Sequence, residues 1–160
     1  MVDRVQWDLE SAFTCKREGE LSEYVGSKIT IQRGKDGLGT VKFTQPVLIQ
    51  KLEDEYKLTG GRAPRLPAIA GQVLIKGNGT GIVDGERIKR YRSATATCMF
   101  IMQWSRPDIY NAVRSLARYM NAPQEVHLQA LTTLMKYMVS TRNQGLVLAP
   151  KALWDSGRNF

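Results

Sequence analysis

The sequence predicts an α+β fold. An antiparallel β hairpin or meander comes first, then a short helix, a long glycine-rich connector, and a mostly helical half containing an antiparallel helix hairpin. Three observations predict it. Val25, Ile29 and Ile31 fall two or four apart, the period of a half-buried strand, and all are β-branched. Seven glycines and two prolines crowd the stretch from Thr59 to Gly85. Beyond it, apolar residues recur every three or four positions, as on one face of a helix. The chain therefore divides into 1–58, 59–86, 87–150 and a tail, 151–160.

Ala12, Phe13 and Cys15 read as a short strand, followed by a charged turn at Lys16 to Glu20. Tyr24 to Ile31 reads as one longer strand. Glycines in 33–39 suit a reversal, because glycine tolerates positive φ. Thr40 to Thr44 returns, with Val41 and Phe43 on one face. Pro46 fits a first helical position, and Leu48, Leu52 and Tyr56 follow at spacings of four. Glu53, Asp54 and Glu55 oppose the dipole at that helix's end, which packing must therefore hold.

The stretch 59–86 reads as a mobile connector, since a long loop without periodicity is uncommon inside a compact domain. Lys89 to Gln103 is apolar on most sides and reads as a buried helix. Ser105, Pro107 and Asp108 predict a capped helix start with a capping-box-like arrangement. Ile109, Val113, Leu116 and Met120 form the stripe of that helix, with Asn111, Arg114, Arg118 and Asn121 on other faces. After Asn121 to Pro123 a second helix is expected to bury Val126, Ala130, Leu134, Tyr137 and Met138, widened by Leu128, Leu131 and Met135. Gly145 fits its C-terminal cap, and Leu146 to Leu148 a last short strand. The two helices should pair as an antiparallel hairpin.

Net charge is +8, and it is unevenly spread. Residues 1–61 hold nine Lys/Arg against ten Asp/Glu, 62–85 three against one, and 86–160 eleven against four. Concentrated positive charge attracts phosphate and makes binding salt-dependent; the ordinary alternative is a solvated basic surface. No run approaches the eighteen apolar residues of a membrane span, and the N-terminus has no secretory pattern. The expected setting is intracellular, cytoplasm or nucleus, with no membrane partner. Cys15 and Cys98 are expected to be reduced thiols, and His127 a structural residue near a helix start.

No catalytic constellation stands out. The glycines at 77, 79 and 81 lack the Lys-Ser/Thr of a phosphate loop, and no Gly-x-Ser-x-Gly elbow occurs. Asp36, Asp54, Asp84 and Asp108 fall in no metal motif, so no metal and no cofactor is expected in this chain.

Several segments carry a family resemblance. Tyr91-Arg92-Ser93, then Arg106-Pro107-Asp108-Ile109, Ala112-Val113, Leu116 to Met120, Pro123 and His127-Leu128 resemble a stretch of copia-type retrotransposon reverse transcriptases. Lys136-Tyr137-Met138 to Thr141 and Gly145-Leu146 look like the continuation of that stretch. Upstream, Tyr24 to Ile29 is similar to the family's Phe/Tyr-x-Gly-x-x-Ile strand, and Thr44-Gln45 to its Ser/Thr-Gln before a helix. The matches are collinear over about Leu21 to Leu148. One departure is the run Ala94-Thr95-Ala96-Thr97-Cys98, where the family has a glycine and small aliphatic residues.

The resemblance implies a part of a Pol polyprotein that lies after the polymerase active site and before ribonuclease H. Residues 1–58 would be a primer-handling hairpin with a thumb-like helix, and 87–150 a connection-like region. The family's Tyr-x-Asp-Asp signature would precede the chain, and the ribonuclease H domain would follow Trp154-Asp155. The parent polymerase would use magnesium and would hold an RNA–DNA or DNA duplex. Tyr24 and Gly26 carry the primer-hairpin match; Lys28, Lys42, Arg114 and Arg118 are the candidate phosphate contacts. Gly26 has an ordinary alternative as the site of a β-bulge. Two other readings are a helical protein-interaction module, which would expose an apolar patch, and a decayed element without activity.

Overall fold

The computed structural model describes residues 2–14, 22–33, 39–58, 62–76 and 83–149. Helix α1 (Val2–Ala12) is followed by strands β1 (Glu23–Tyr24), β2 (Ser27–Arg33) and β3 (Gly39–Thr44), then helix α2 (Pro46–Tyr56). Helices α3 (Gly85–Trp104), α4 (Tyr110–Ala117) and α5 (Glu125–Ser140) make the second half, and β4 (Leu146–Leu148) returns to the sheet. The four strands lie in the order β1-β2-β3-β4, all neighbours antiparallel. The α+β fold class is as the sequence predicts. Cys15, the turn residues 34–38, five of the connector glycines and the tail lie outside the described residues.

The front end departs from the expected strands in two places. Ala12 closes a helix, not a strand: α1 is amphipathic, and the Phe13 N–H still donates to the Leu9 carbonyl at 2.9 Å. Tyr24 to Ile31 is not one strand either. Val25 and Gly26 both take positive φ (49° and 69°) and turn the chain back, so Tyr24 pairs with Ser27 and Glu23 with Lys28. Positive φ at both central residues is the two-residue hairpin turn whose twist matches its strands. Gly26 is thus a turn residue and makes no bulge. Because Val25 leaves the strand, the expected Val25–Ile29–Ile31 stripe breaks up. Ile29 is buried, while Val25 and Ile31 are exposed.

Register sorts the sheet into two faces, since directly opposed residues share a side. Ile29 opposes Phe43, which opposes Leu146; Ile31 opposes Val41, which opposes Leu148. The other face carries Lys28 opposite Thr44, and Thr30 opposite Lys42. Gly145 admits β4 to this sheet. A Cβ there would lie 2.7 Å from Thr44 Cγ2 and closer still to the Phe43 carbonyl oxygen. The expected helix cap at Gly145 is therefore replaced by a strand-contact role, because α5 already ends at Ser140.

The helical core joins Ile49 and Leu52 of α2 to Tyr91, Cys98 and Ile101 of α3, Val113 and Leu116 of α4, and the inner face of α5. That face is centred on Leu131, Leu134, Met135 and Met138, with Val126 and Ala130 only half-buried at its margin. It is thus turned from the expected Val126–Ala130 line, because His127 takes the buried position at the first turn. The acidic end of α2 is held as expected, by contacts from outside the helix. Arg142 Nη2 lies 2.8 Å from Glu53 Oε2, and the Tyr56 hydroxyl donates to the Arg90 carbonyl at 2.7 Å.

Residues 62–76 form no helix or strand, yet Leu74 packs against the core and Tyr119 donates its hydroxyl hydrogen bond to the Leu74 carbonyl. Asp84 caps α3 by accepting from the Arg87 N–H at 3.0 Å.

Candidate nucleic-acid interface

The segments that carry the family resemblance are mostly internal ties. Arg106 is 1% exposed, and its Nε and Nη2 each lie 2.8 Å from an oxygen of Asp108. Its remaining donors reach the Thr141 carbonyl at 3.1 Å and the Thr141 hydroxyl at 2.9 Å, and its guanidinium lies over the Tyr137 ring. Tyr137 completes the node by donating to Asp108 Oδ2 at 3.1 Å. The start of α4 is thereby tied to the end of α5. Burial raises the Asp108 pKa, but the hydrogen bond and charge of Arg106, with the Tyr137 hydroxyl, outweigh it and hold the group below the usual carboxylate range.

The capping box expected at Ser105–Asp108 is absent, because the Arg106 guanidinium takes the Asp108 side chain. Ser105 ends α3 instead and donates to Gln45 Oε1 at 2.8 Å, fixing the residue before α2. Tyr91 is buried and donates to the Leu116 carbonyl at 2.8 Å. Arg92 reaches the turn after α4, donating to the Met120 carbonyl at 2.8 Å and to Asn121 Oδ1 at 3.2 Å.

His127 is a structural residue at a helix start, as the sequence implies. Its Nδ1 accepts from the Gln124 N–H at 2.9 Å in a reciprocal capping box, and its ring stacks on Tyr119 at 4.0 Å. Nε2 has no partner at hydrogen-bonding geometry among the described residues. Burial lowers the pKa of the ring, and the nearby Ile75 carbonyl only partly offsets this. Burial likewise pushes the Cys98 thiol up to about 12, leaving it a small apolar core residue.

The six candidate contact residues fall into two groups. Lys28 and Lys42 occupy diagonal positions on the polar face of the hairpin, among Thr30, Thr40 and Thr44. Lys28 is exposed; Lys42 is half-buried and lines a cleft with Pro107 and Asp108. Gly26 holds the adjoining turn, and Tyr24 stands on the opposite, apolar face, edge-on to Trp104 at 6.2 Å. Arg114 of α4 and Arg118, the residue that caps its C-terminus, stand one turn apart, exposed, with Asn111 and Ser115 beside them. No carboxylate bonds either arginine among the described residues.

Three of the four aspartates outside any metal motif have partners within the chain. Asp54 accepts from Gln50, Asp84 caps α3, and Asp108 is held by Arg106; Asp36 lies outside the described residues. Among the described residues no three carboxylate, imidazole or thiol side chains converge. No helix among them is long and apolar enough to cross a membrane.

Comparison with known proteins finds retrotransposon relatives over most of the chain. The chain is 24% identical over 146 residues to a transposon Ty5-1 protein of Saccharomyces cerevisiae, across 91% of its own length. It is 28% identical over 141 residues to the retrovirus-related Pol polyprotein from transposon RE1 of Arabidopsis thaliana. It is 23% identical over 145 residues to that from transposon TNT 1-94 of Nicotiana tabacum; each plant match covers 88% of this chain. Its homologues are Ty/copia-type retrotransposon Pol polyproteins. The chain spans 45% of the yeast protein and only 9% and 11% of the two plant polyproteins. The similarity supports a transposon-derived polyprotein as the origin of the chain. No protein-family model and no solved structure matches it.

In this chain the positions of the shared motifs have physical roles. Arg106, Asp108, Tyr137 and Thr141 form one node, and Tyr91 and Arg92 together hold the end of α4 and the turn after it. One surface residue is not marked by any motif. Lys76 lies in the stretch whose composition reads as connector, although Val73-Leu74-Ile75 beside it alternates outward and inward.

Proposed function

We propose that this Pol-derived fragment is a non-catalytic segment of an RNA-directed DNA polymerase that grips the template–primer duplex. In this reading it lies between the polymerase active site and ribonuclease H, and packs against both. It acts inside the cell, and the magnesium of the reaction is held by carboxylates elsewhere in the parent polymerase.

The observation that carries the reading is the outward face of α4. Arg114 and Arg118, one turn apart and free of carboxylate partners among the described residues, stand with Asn111 and Ser115 on one exposed strip. Two cations in a row suit phosphate oxygens and position a duplex without reading its sequence. Lys28 and Lys42 with three threonines supply a second such surface on the hairpin.

A protein-interaction module is the second reading, favoured by α1. Val5 and Leu9 of α1 and Phe13 just past its end fall four apart and are all exposed, leaving an apolar stripe for another protein surface.

Binding of the full chain to a labelled RNA–DNA primer–template across a salt series separates the two. For a gripping segment the logarithm of the binding constant falls linearly with log salt. Arg114→Ala with Arg118→Ala should reduce the slope by about 1 for each phosphate that is no longer neutralised. No binding at low salt by a folded chain would end the gripping role and leave the interaction module or an inactive remnant.

A further inference from the structure

Between residues 73–76 and the turn joining α4 to α5 lies a cleft of about 610 Å³, bordered by Val73, Ile75, Lys76, Arg118, Tyr119 and Asn121. It differs in kind from the outward strip of α4, which offers only polar groups. One wall is apolar: Val73 and Ile75 are 79% and 66% exposed. Their neighbour Leu74 is anchored inward, its side chain against the core and its carbonyl bonded by the Tyr119 hydroxyl, so the wall is held in place.

The opposite side is basic and built from tied parts. The Tyr119 ring is stacked on His127, and the Arg118 guanidinium lies over that ring at 6.0 Å from its centroid. Arg92 can only donate, so Asn121 must turn its oxygen to Arg92, at 3.2 Å. The Asn121 amide N–H groups are thereby aimed away from Arg92. Neither Lys76 nor Arg118 bonds a carboxylate among the described residues.

We infer that this cleft binds a single strand of nucleic acid, with a phosphate between Lys76 and Arg118 and a base or sugar against Val73 and Ile75. The inference rests on the nucleic-acid reading above and narrows it to one strand at one place. A duplex keeps its base faces stacked and can use only the cations. An unpaired strand can use the cations, the apolar wall and the guanidinium plane together.

The test compares an unpaired oligothymidylate with an RNA–DNA duplex of equal length, each titrated with the full chain at one salt concentration. Val73→Ser and Lys76→Ala lie at the rim and leave the core intact. Together they should weaken single-strand binding about tenfold and leave duplex binding within about twofold. Equal losses on both ligands, or no loss on the single strand, would overturn the inference, as would duplex binding without single-strand binding. Failure to bind either ligand would instead remove the wider nucleic-acid reading, so the two failures are distinguishable.

Discussion

Arg106 and Asp108 stand two positions apart across Pro107 and meet in a two-pronged ion pair, both contacts 2.8 Å. Their environments differ sharply. The arginine side chain is 1% exposed, the aspartate 39%. The pair also faces away from its own helix, through Thr141 and Tyr137, to the end of α5. Arg-Pro-Asp therefore works as a fastener between elements. The proline fixes φ, and the two flanking side chains close over it.

Loss of the aspartate should be the costlier change. Asp108→Asn leaves a guanidinium buried without a countercharge and is expected to cost about 3 kcal/mol. Arg106→Met leaves a carboxylate that water reaches and should cost less, about 1–2 kcal/mol. Urea denaturation of the two variants measures the order. Equal or reversed costs would show that the charge pair is not what holds α4 to α5.

Val25 is a β-branched residue held at φ 49°, where a Cβ is crowded by the following carbonyl. Val25→Asn places a residue that tolerates this conformation at an exposed turn. Stability should rise by about 1 kcal/mol, read as a higher denaturation midpoint with unchanged slope. A fall would mean that the valine side chain makes a contact worth more than the strain.

Gly145→Ala should act at the join of the two halves. The added methyl meets the Phe43 carbonyl and Thr44 Cγ2, both in a paired strand that cannot give way cheaply. A cost of about 1–3 kcal/mol is expected, with faster amide exchange at Val41 to Phe43, which pair with β4. Faster exchange confined to other parts of the chain would contradict this assignment.

His127 makes stability sensitive to mild acid. Its folded pKa lies below the ordinary 6.5, chiefly through burial, so the unfolded chain takes up a proton more readily than the folded one. Its contribution is complete above about pH 6.5 and is lost as pH falls from there toward the lower folded value. The denaturation midpoint should drop from pH 7.5 to 5.5 in the native chain and drop less in His127→Gln. An identical drop in both would assign the acid sensitivity to other groups. Asp108 acts lower, its contribution present above the ordinary 3.8 and lost as pH falls through its depressed folded value.

Much of the helical half was legible residue by residue. Ile109, Val113 and Leu116 are buried as their spacing predicts, and Pro46 opens α2. Periodicity reports such positions because a helix meets its core every three or four residues. Short-range signals did worse where another local interaction competed. Asp108 had the spacing of a cap, but a buried guanidinium binds a carboxylate more strongly than a backbone N–H does. Val25 had the look of a strand residue, yet the turn it occupies is set by the pairing of Tyr24 with Ser27.

The candidate site divides the same way. That Arg114 and Arg118 share an exposed face follows from their spacing of four, and the sequence by itself determines it, along with the fold class. That Lys76 joins Arg118 across a cleft, and that Arg106 reaches Thr141, only the tertiary structure decided. Local patterns encode which face of an element is apolar. Which two faces meet depends on how the whole chain buries them together, and contacts separated by 35 or more residues leave no trace in any short window.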